Sequence, residues 1–215
     1  MFNHTRIELS QINEAHRDGK HFYVYDGIKY PSITTILHSF PNPGIEKWKY
    51  NTANWQEIQE ESMSVGTDLH KKIEEYLKGN NIIASNLVET LFQNMTPQLN
   101  KINNIRCQEA RMFEPNLRIA GTVDCIAEYD GVLSVIDFKN SRKKKYESVV
   151  KKSGYYEQLN AYARMFQHMT GISIKQGVVL ISAWDNKVTE HIIDIEDYND
   201  NLDFILEQYY TPRAY

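Results

Sequence analysis

The sequence has only two cysteines, Cys107 and Cys125, and no CxxC pair. Two thiols cannot close a four-cysteine zinc or iron–sulfur site, so both read as reduced thiols within strands. No apolar run approaches the roughly 20 residues of a membrane span. The opening stretch, MFNHTRIELSQINEAHRDGK, has neither an apolar secretory core nor an acid-poor, arginine-rich leader. The expectation is a cytoplasmic protein that keeps its first residues and has no membrane partner. Repeats and low-complexity stretches are also absent. So is any excess of positive charge, the formal net charge being −4. That balance does not advertise a nucleic-acid binder, yet an acidic metal site and a local basic groove can coexist within it.

What is present suffices for an α/β domain with a sizeable core. HFYVYDGIKY reads as a hairpin turning near Asp26-Gly27, followed by a helix start near Pro31-Ser32 and a break at Pro41-Asn42-Pro43-Gly44. One long helical region over about 45–78 and a helix over about 84–103 are expected next. CQEARMFEP, LRIAGTVDCIAE and VLSVIDFK are three consecutive strand candidates. A helix centred on YEQLNAYARMF, a hairpin across Asp185-Asn186 and a terminal helix complete the chain. Consecutive strands, a crossover helix and a further strand predict a mixed sheet flanked by helices.

The turn at Asp130-Gly131 carries the most information. Asp-Gly between two strand-like runs signals a two-residue hairpin loop, which pairs Tyr129 with Val132. Counting outward, Asp124 lies opposite Asp137, and Lys139 opposite Thr122. Side chains alternate along a strand, so Asp124, Asp137 and Lys139 are expected to project to one side. Two facing aspartates repel. A buried like-charged pair needs a proton, a cation or a salt bridge. Lys139 supplies one positive charge, and a divalent ion would supply the rest. Oxygen ligands suit magnesium or manganese, which can activate a bound water and offset charge on a phosphate. The alternative is a surface hairpin with a chance pair of aspartates and an ordinary ion pair.

Two helices offer further groups. His70 and Glu74 are one turn apart on the face flanked by Ile73 and Leu77, so His70 is expected to point inward, as a metal ligand or as a hydrogen-bonded core histidine. Gln158 and Tyr162 share the edge of the Leu159, Ala163 and Phe166 stripe, where they could bond the site or DNA, or merely pack. Residues 139–152 contain seven basic residues and one acid, Glu147. Ser141, Arg142, Lys143, Lys144 and Lys145 could hold phosphates there, or form a solvated loop. Trp48, Tyr50 and Trp55 could stack on unpaired bases or pack in the core.

Taken together, Gly66-x-x-x-His70, Gly121-Thr122-Val123-Asp124, Asp137-Phe138-Lys139 and Gln158-x-x-x-Tyr162 resemble, in order and spacing, the RecB-like branch of the PD-(D/E)XK nuclease superfamily. YPSITTIL, Trp48, VGTDLHKKIEEYL and AGTVDCIAEYDG look like the mitochondrial genome maintenance exonuclease family and its phage and bacterial relatives. The resemblance implies a restriction-endonuclease-like α/β core of helix, three strands, helix and strand. It implies a single domain, with 1–65 as a hairpin and helical extension and 66–215 as the nuclease core. It further implies a Mg²⁺ or Mn²⁺ ion held by Asp124, Asp137, the Phe138 carbonyl and His70, with Lys139 catalytic and Gln158 and Tyr162 supporting. Glu109 is a further candidate, and the role of Glu74 is open. Asn140 stands where relatives often carry Thr. The expected activity is exonucleolytic hydrolysis of single-stranded DNA ends by a monomer, in the host cytoplasm if the chain is phage-encoded. An endonuclease of the same fold, or a non-cleaving DNA-binding protein on that fold, are the competing readings.

Overall fold

The computed structural model describes residues 2–17 and 20–211. The chain opens with a small antiparallel sheet of β1 (Asn13–Arg17), β2 (Lys20–Tyr25) and β3 (Ile28–Pro31). β2 and β3 turn at Asp26-Gly27, where φ is 48° and 74°, the sign that a tight hairpin turn requires at both central positions. The hairpin is where the sequence puts it. β1 is an addition, because NEAHR is too polar to read as a strand on its own.

Three short connections lead into the helical segment. α1 (Ile33–His38) buries Ile33 and Ile36. α2 (Pro43–Tyr50) starts at Asn42, whose Oδ1 accepts the Gly44 and Ile45 N–H groups at 3.1 and 3.2 Å, and Pro43 sits in its first turn. α3 (Trp55–Leu77) and α4 (Asn86–Leu99) follow. The helix expected across 45–78 is therefore two. Asn51 ends the first by donating its side-chain amide to the Lys47 carbonyl at 2.8 Å, a local bond that competes with helix continuation. α4 stops at Leu99 rather than 103, because Ile102 is already a buried strand residue.

The rest of the chain is β4 (Ile102–Glu114), β5 (Ile119–Tyr129), β6 (Val132–Ser141), α5 (Glu147–Val150), α6 (Tyr155–Thr170), β7 (Gln176–Ala183), β8 (Val188–Asp194) and α7 (Asn199–Tyr210). The five strands form one mixed sheet in the order β4-β5-β6-β7-β8. Only β6 and β7 are parallel, joined through the α6 crossover. α3 and α4 pack Leu69, Ile73, Leu91 and Met95 on Cys125, Ile136, Phe138 and Leu180 on one face. α1, α6 and α7 pack Ile33, Leu159, Phe166 and Leu202 on Val123, Ile126, Val135 and Val179 on the other. The small sheet sits at one end, where Tyr23 and Tyr30 bury against Phe113 and Ala120. No helix among the described residues is long and apolar enough to cross a membrane.

Candidate active site

The β5–β6 ladder follows the register set by Asp130-Gly131, from Tyr129↔Val132 to Cys125↔Ile136. Asp124 and Asp137 are next in that register, but regular pairing stops before them. The strands part, and the Phe138 N–H donates to Asp124 Oδ2 at 2.8 Å. The Phe138 carbonyl accepts from His70 Nε2 at 2.7 Å. The open edge of β6 is thus satisfied by two side chains instead of a strand. One expectation fails for this reason: Thr122 is not opposite Lys139. It pairs with Arg111 of β4, and its hydroxyl bonds the Tyr23 OH at 2.9 Å.

β4 contributes a third carboxylate. Gln108↔Cys125 and Ala110↔Val123 flank Glu109 and Asp124, which therefore occupy facing positions. Glu109 has φ 46°, a left-handed conformation that costs on the order of 1–3 kcal/mol in a residue with a side chain. Around it β5 changes phase: Val123 packs on the α6 side, and Cys125, two residues on, packs on the α3–α4 side. Glu109, Asp124 and Asp137 form a row across three adjacent strands at this irregularity. Glu109 has only a minor place in the sequence pattern, because straight alternation gives no sign of the backbone twist that turns it toward Asp124.

His70 enters from α3. Its Nε2 donates to the Phe138 carbonyl, and Nδ1 lies 3.6 Å from Asp124 Oδ1 and 3.9 Å from Glu109 Oε1, so Nδ1 would offer a lone pair to a cation on losing its proton. Nδ1 and one oxygen from each of Glu109 and Asp124 lie within 4.8 Å of one another. A histidine that donates its far N–H to a backbone carbonyl is oriented as a metal ligand is. Asp137 is 1% exposed; its Oδ1 accepts from Lys139 Nζ at 2.7 Å, and its buried Oδ2 has no hydrogen-bond partner among the described residues. The donor set of the His70, Glu109 and Asp124 group, one imidazole nitrogen and two hard carboxylate oxygens, fits a divalent cation, and Asp137 lies outside that 4.8 Å group on the neighbouring strand.

The electrostatics agree. Burial pushes the Asp137 carboxyl up to about 6, with Lys139 pulling against it and Asp124 adding to it. Burial and then Asp124 raise Glu109 to about 7, while His70 opposes them. Burial acts to lower the Lys139 ammonium, but Asp137 and Asp124 outweigh it and hold the net shift upward. Crowded carboxylates retain protons where their negative charge is uncompensated, and a bound cation reverses this.

Gln158 and Tyr162 are buried on α6, where Gln158 Nε2 donates to the Tyr162 OH at 3.1 Å beside Asp124. The missing side chain of Gly121 makes room for Tyr162: a Cβ there would stand 2.7 Å from Tyr162 Cε1. Glu74 is directed elsewhere, pairing with Lys78 at 2.6 Å. The basic run divides. Arg142 pairs with Glu61 and lies 4.3 Å over the Trp184 ring, Lys145 donates to the Tyr155 OH at 2.7 Å, and Ser141 donates to the Lys143 carbonyl at 2.7 Å. Lys143 and Lys144 are exposed. Nothing in the sequence pattern points to Tyr155. Its ring lies 5.3 Å from Lys139 Nζ and 4.9 Å from Lys145 Nζ, linking the basic run to the site.

The sequence model of the PD-(D/E)XK nuclease superfamily matches residues 46–210, which contain the whole carboxylate row. The chain belongs to this superfamily. Among curated proteins it is similar to human mitochondrial genome maintenance exonuclease 1, 25% identical over 187 residues, covering 77% of this chain and 53% of that protein. The mouse protein of the same name is 27% identical over 128 residues, covering 54% of this chain and 38% of that protein. The chain thus spans about half the length of the human relative and less of the mouse one. A crystal structure from Eubacterium rectale, described as a candidate exonuclease, superposes with a TM-score of 0.50 at 14% identity, covering 68% of this chain and 64% of that one. The fold of that structure is therefore shared by this chain.

Proposed function

We propose that the chain is a divalent-metal-dependent DNA exonuclease that prefers single-stranded ends. The observation that carries this is the Glu109–Asp124–Asp137 row, with His70 Nδ1 3.6 Å from Asp124 and 3.9 Å from Glu109, and with Lys139 paired to Asp137. Asp124, Asp137, Glu109 and His70, with the second lone pair of the Phe138 carbonyl, would hold Mg²⁺ or Mn²⁺. The ion, when bound, supplies an acidified water and charge neutralisation at a phosphate. Lys139, held by Asp137, is placed to orient that water or to offset charge on the phosphoryl oxygens. Gln158 and Tyr162 fix the far side of Asp124, and 66–215 serves as the catalytic core.

The preference for one flexible strand rests on the segment ahead of His70. Between Ile36 and Leu69 no residue is buried. α2 and the first half of α3 therefore stand away from the core. They carry Trp48 at 39% and Tyr50 at 91% exposure, and Lys49 Nζ lies 4.3 Å over the Trp55 ring. The segment is tied back beside the site by Glu61–Arg142 and by Asn140 Nδ2 donating to the Ser62 carbonyl at 3.0 Å. Such a span suits a single strand stacked on aromatic rings better than a stiff duplex. Relatives named as exonucleases support the exonuclease part of this proposal. The test is digestion of end-labelled single-stranded and duplex DNA with Mg²⁺, Mn²⁺ or EDTA, alongside Asp137→Ala and Lys139→Ala. Both variants should lose on the order of a hundredfold or more in turnover while still binding DNA. Wild-type turnover in purified Lys139→Ala protein would refute the assignment.

A further inference from the structure

The two ends of the carboxylate row face different surroundings. Past Asp137, toward β6 and β7, stand Lys139 and the exposed Lys143 and Lys144. Past Glu109, toward β4 and the N-terminal sheet, lies a cavity of ≈ 480 Å³ that opens on Asp124. Hydroxyl groups wall it: Tyr23 OH and Thr122 Oγ1 are 2.9 Å apart, and Ser32 Oγ and Thr34 Oγ1 are 2.7 Å apart. Arg111 lies on its lining, ion-paired with Glu14 at 2.8 Å.

Charge decides what each side can hold. A run of nucleotides is a polyanion and belongs on the lysine side. On the cavity side Glu109 and Asp124 stand beside Arg111 and His21, both already paired with Glu14 at 2.8 Å, so among the described residues no cation there is spare for a train of phosphates. Hydroxyls and the Gln158 amide suit a neutral polar body. The sugar and base of one nucleotide are such a body, their single phosphate lying over the carboxylate row. The size agrees: pockets of roughly 300–1,000 Å³ take one drug-sized ligand, and a nucleoside is of that class.

We propose that this cavity receives the terminal nucleoside of the strand, while the remainder lies on the lysine side, so that each cut releases one nucleotide. The proposal rests on the nuclease reading above and adds to it where the cut falls. The N-terminal sheet then sets product length, and Thr34 and Arg111 are specificity-determining positions outside the proposed metal ligands.

The experiment has two readouts on the wild type, Thr34→Trp, which fills the cavity, and Arg111→Ala, which alters its lining. One is the length of products released from end-labelled single-stranded DNA with Mg²⁺. The other is calorimetric binding of deoxynucleoside 5′- and 3′-monophosphates with Mg²⁺. The wild type should release mononucleotides from the earliest times and bind one of the two monophosphates. Thr34→Trp should weaken that binding by about tenfold or more, the scale of a blocked pocket, and lengthen the products. Cleavage that begins with longer fragments and is unmoved by Thr34→Trp, or absence of binding by both monophosphates, overturns the cavity assignment and leaves the nuclease reading standing. Binding that Thr34→Trp abolishes, in a protein that cuts no DNA, sinks the nuclease reading alone. Should Thr34→Trp fail a circular-dichroism check of folding, Thr34→Leu and Arg111→Ala carry the same comparison.

Discussion

Glu109 and Asp137 are carboxylic acids placed where their charged forms are disfavoured. Their raised values, about 7 and about 6, mean that the folded protein holds protons more tightly than the unfolded chain does. The sign follows from linkage: stability from these groups is full below their ordinary values near pH 4 and is lost as pH rises through about 6 to 7. A divalent cation competes with those protons, so it should bind weakly at pH 5 and strongly at pH 8. Thermal melts in EDTA and in Mg²⁺ should therefore diverge as pH rises, with little separation at pH 5. Glu109→Gln should melt above the wild type at pH 8 in EDTA and gain less from Mg²⁺. Equal metal stabilisation at pH 5 and pH 8 would remove the carboxylate row as the binding site. Glu109 keeps 37% of its side chain exposed, so solvent screens part of its repulsion, and Asp137 dominates the effect.

At the scale of elements, the parting of β5 and β6 does most to build the site, and a glycine on β5 lets α6 reach it. Gly121→Ala would put a methyl group 2.7 Å from Tyr162 Cε1 and 3.3 Å from Ile33 Cγ2. Both neighbours are buried, so the strain should cost about 1–3 kcal/mol, and the displaced Tyr162 should lower activity beyond the stability loss. A denaturant midpoint and a turnover measurement on the same preparation separate the two. The loop after β6 makes a different prediction. Lys143 and Lys144 are exposed, Lys144 Nζ lying 5.7 Å over the Tyr146 ring, whereas Arg142 is held by Glu61 and Lys145 by the Tyr155 hydroxyl. Neutralising Lys143 and Lys144 should flatten the salt dependence of single-strand binding by roughly 0.7 for each phosphate that is no longer neutralised. An unchanged slope would mark the run as a solvated loop.

These elements also show what could be read from the sequence. The Asp130-Gly131 turn sets the β5–β6 register by local backbone chemistry, and it holds through Cys125↔Ile136. The order of strands and the α6 crossover are legible from periodicity. The end of that ladder is not, because side chains of Asp124 and His70 replace a strand partner there and leave Thr122 away from Lys139. Glu109 is a candidate from the resemblance alone; its turn toward Asp124 follows from a φ of 46°, which no alternation pattern announces. Tyr155 and the N-terminal wall of the cavity depend on contacts between residues far apart in sequence, such as Tyr23 with Thr122.

Over the whole molecule, the carboxylate row lies between a helical segment with no fully buried residue from 37 to 68 and a sheet end walled by β1–β3. That layout favours a strand entering by its end over a cut in the middle of a chain. The decisive comparison is between linear single-stranded DNA and a covalently closed single-stranded circle of the same sequence, with Mg²⁺ and with EDTA. The account predicts rapid shortening of the linear strand in Mg²⁺, a circle that persists, and no reaction in EDTA. A circle nicked as fast as the linear strand is shortened would contradict it and make the protein an endonuclease.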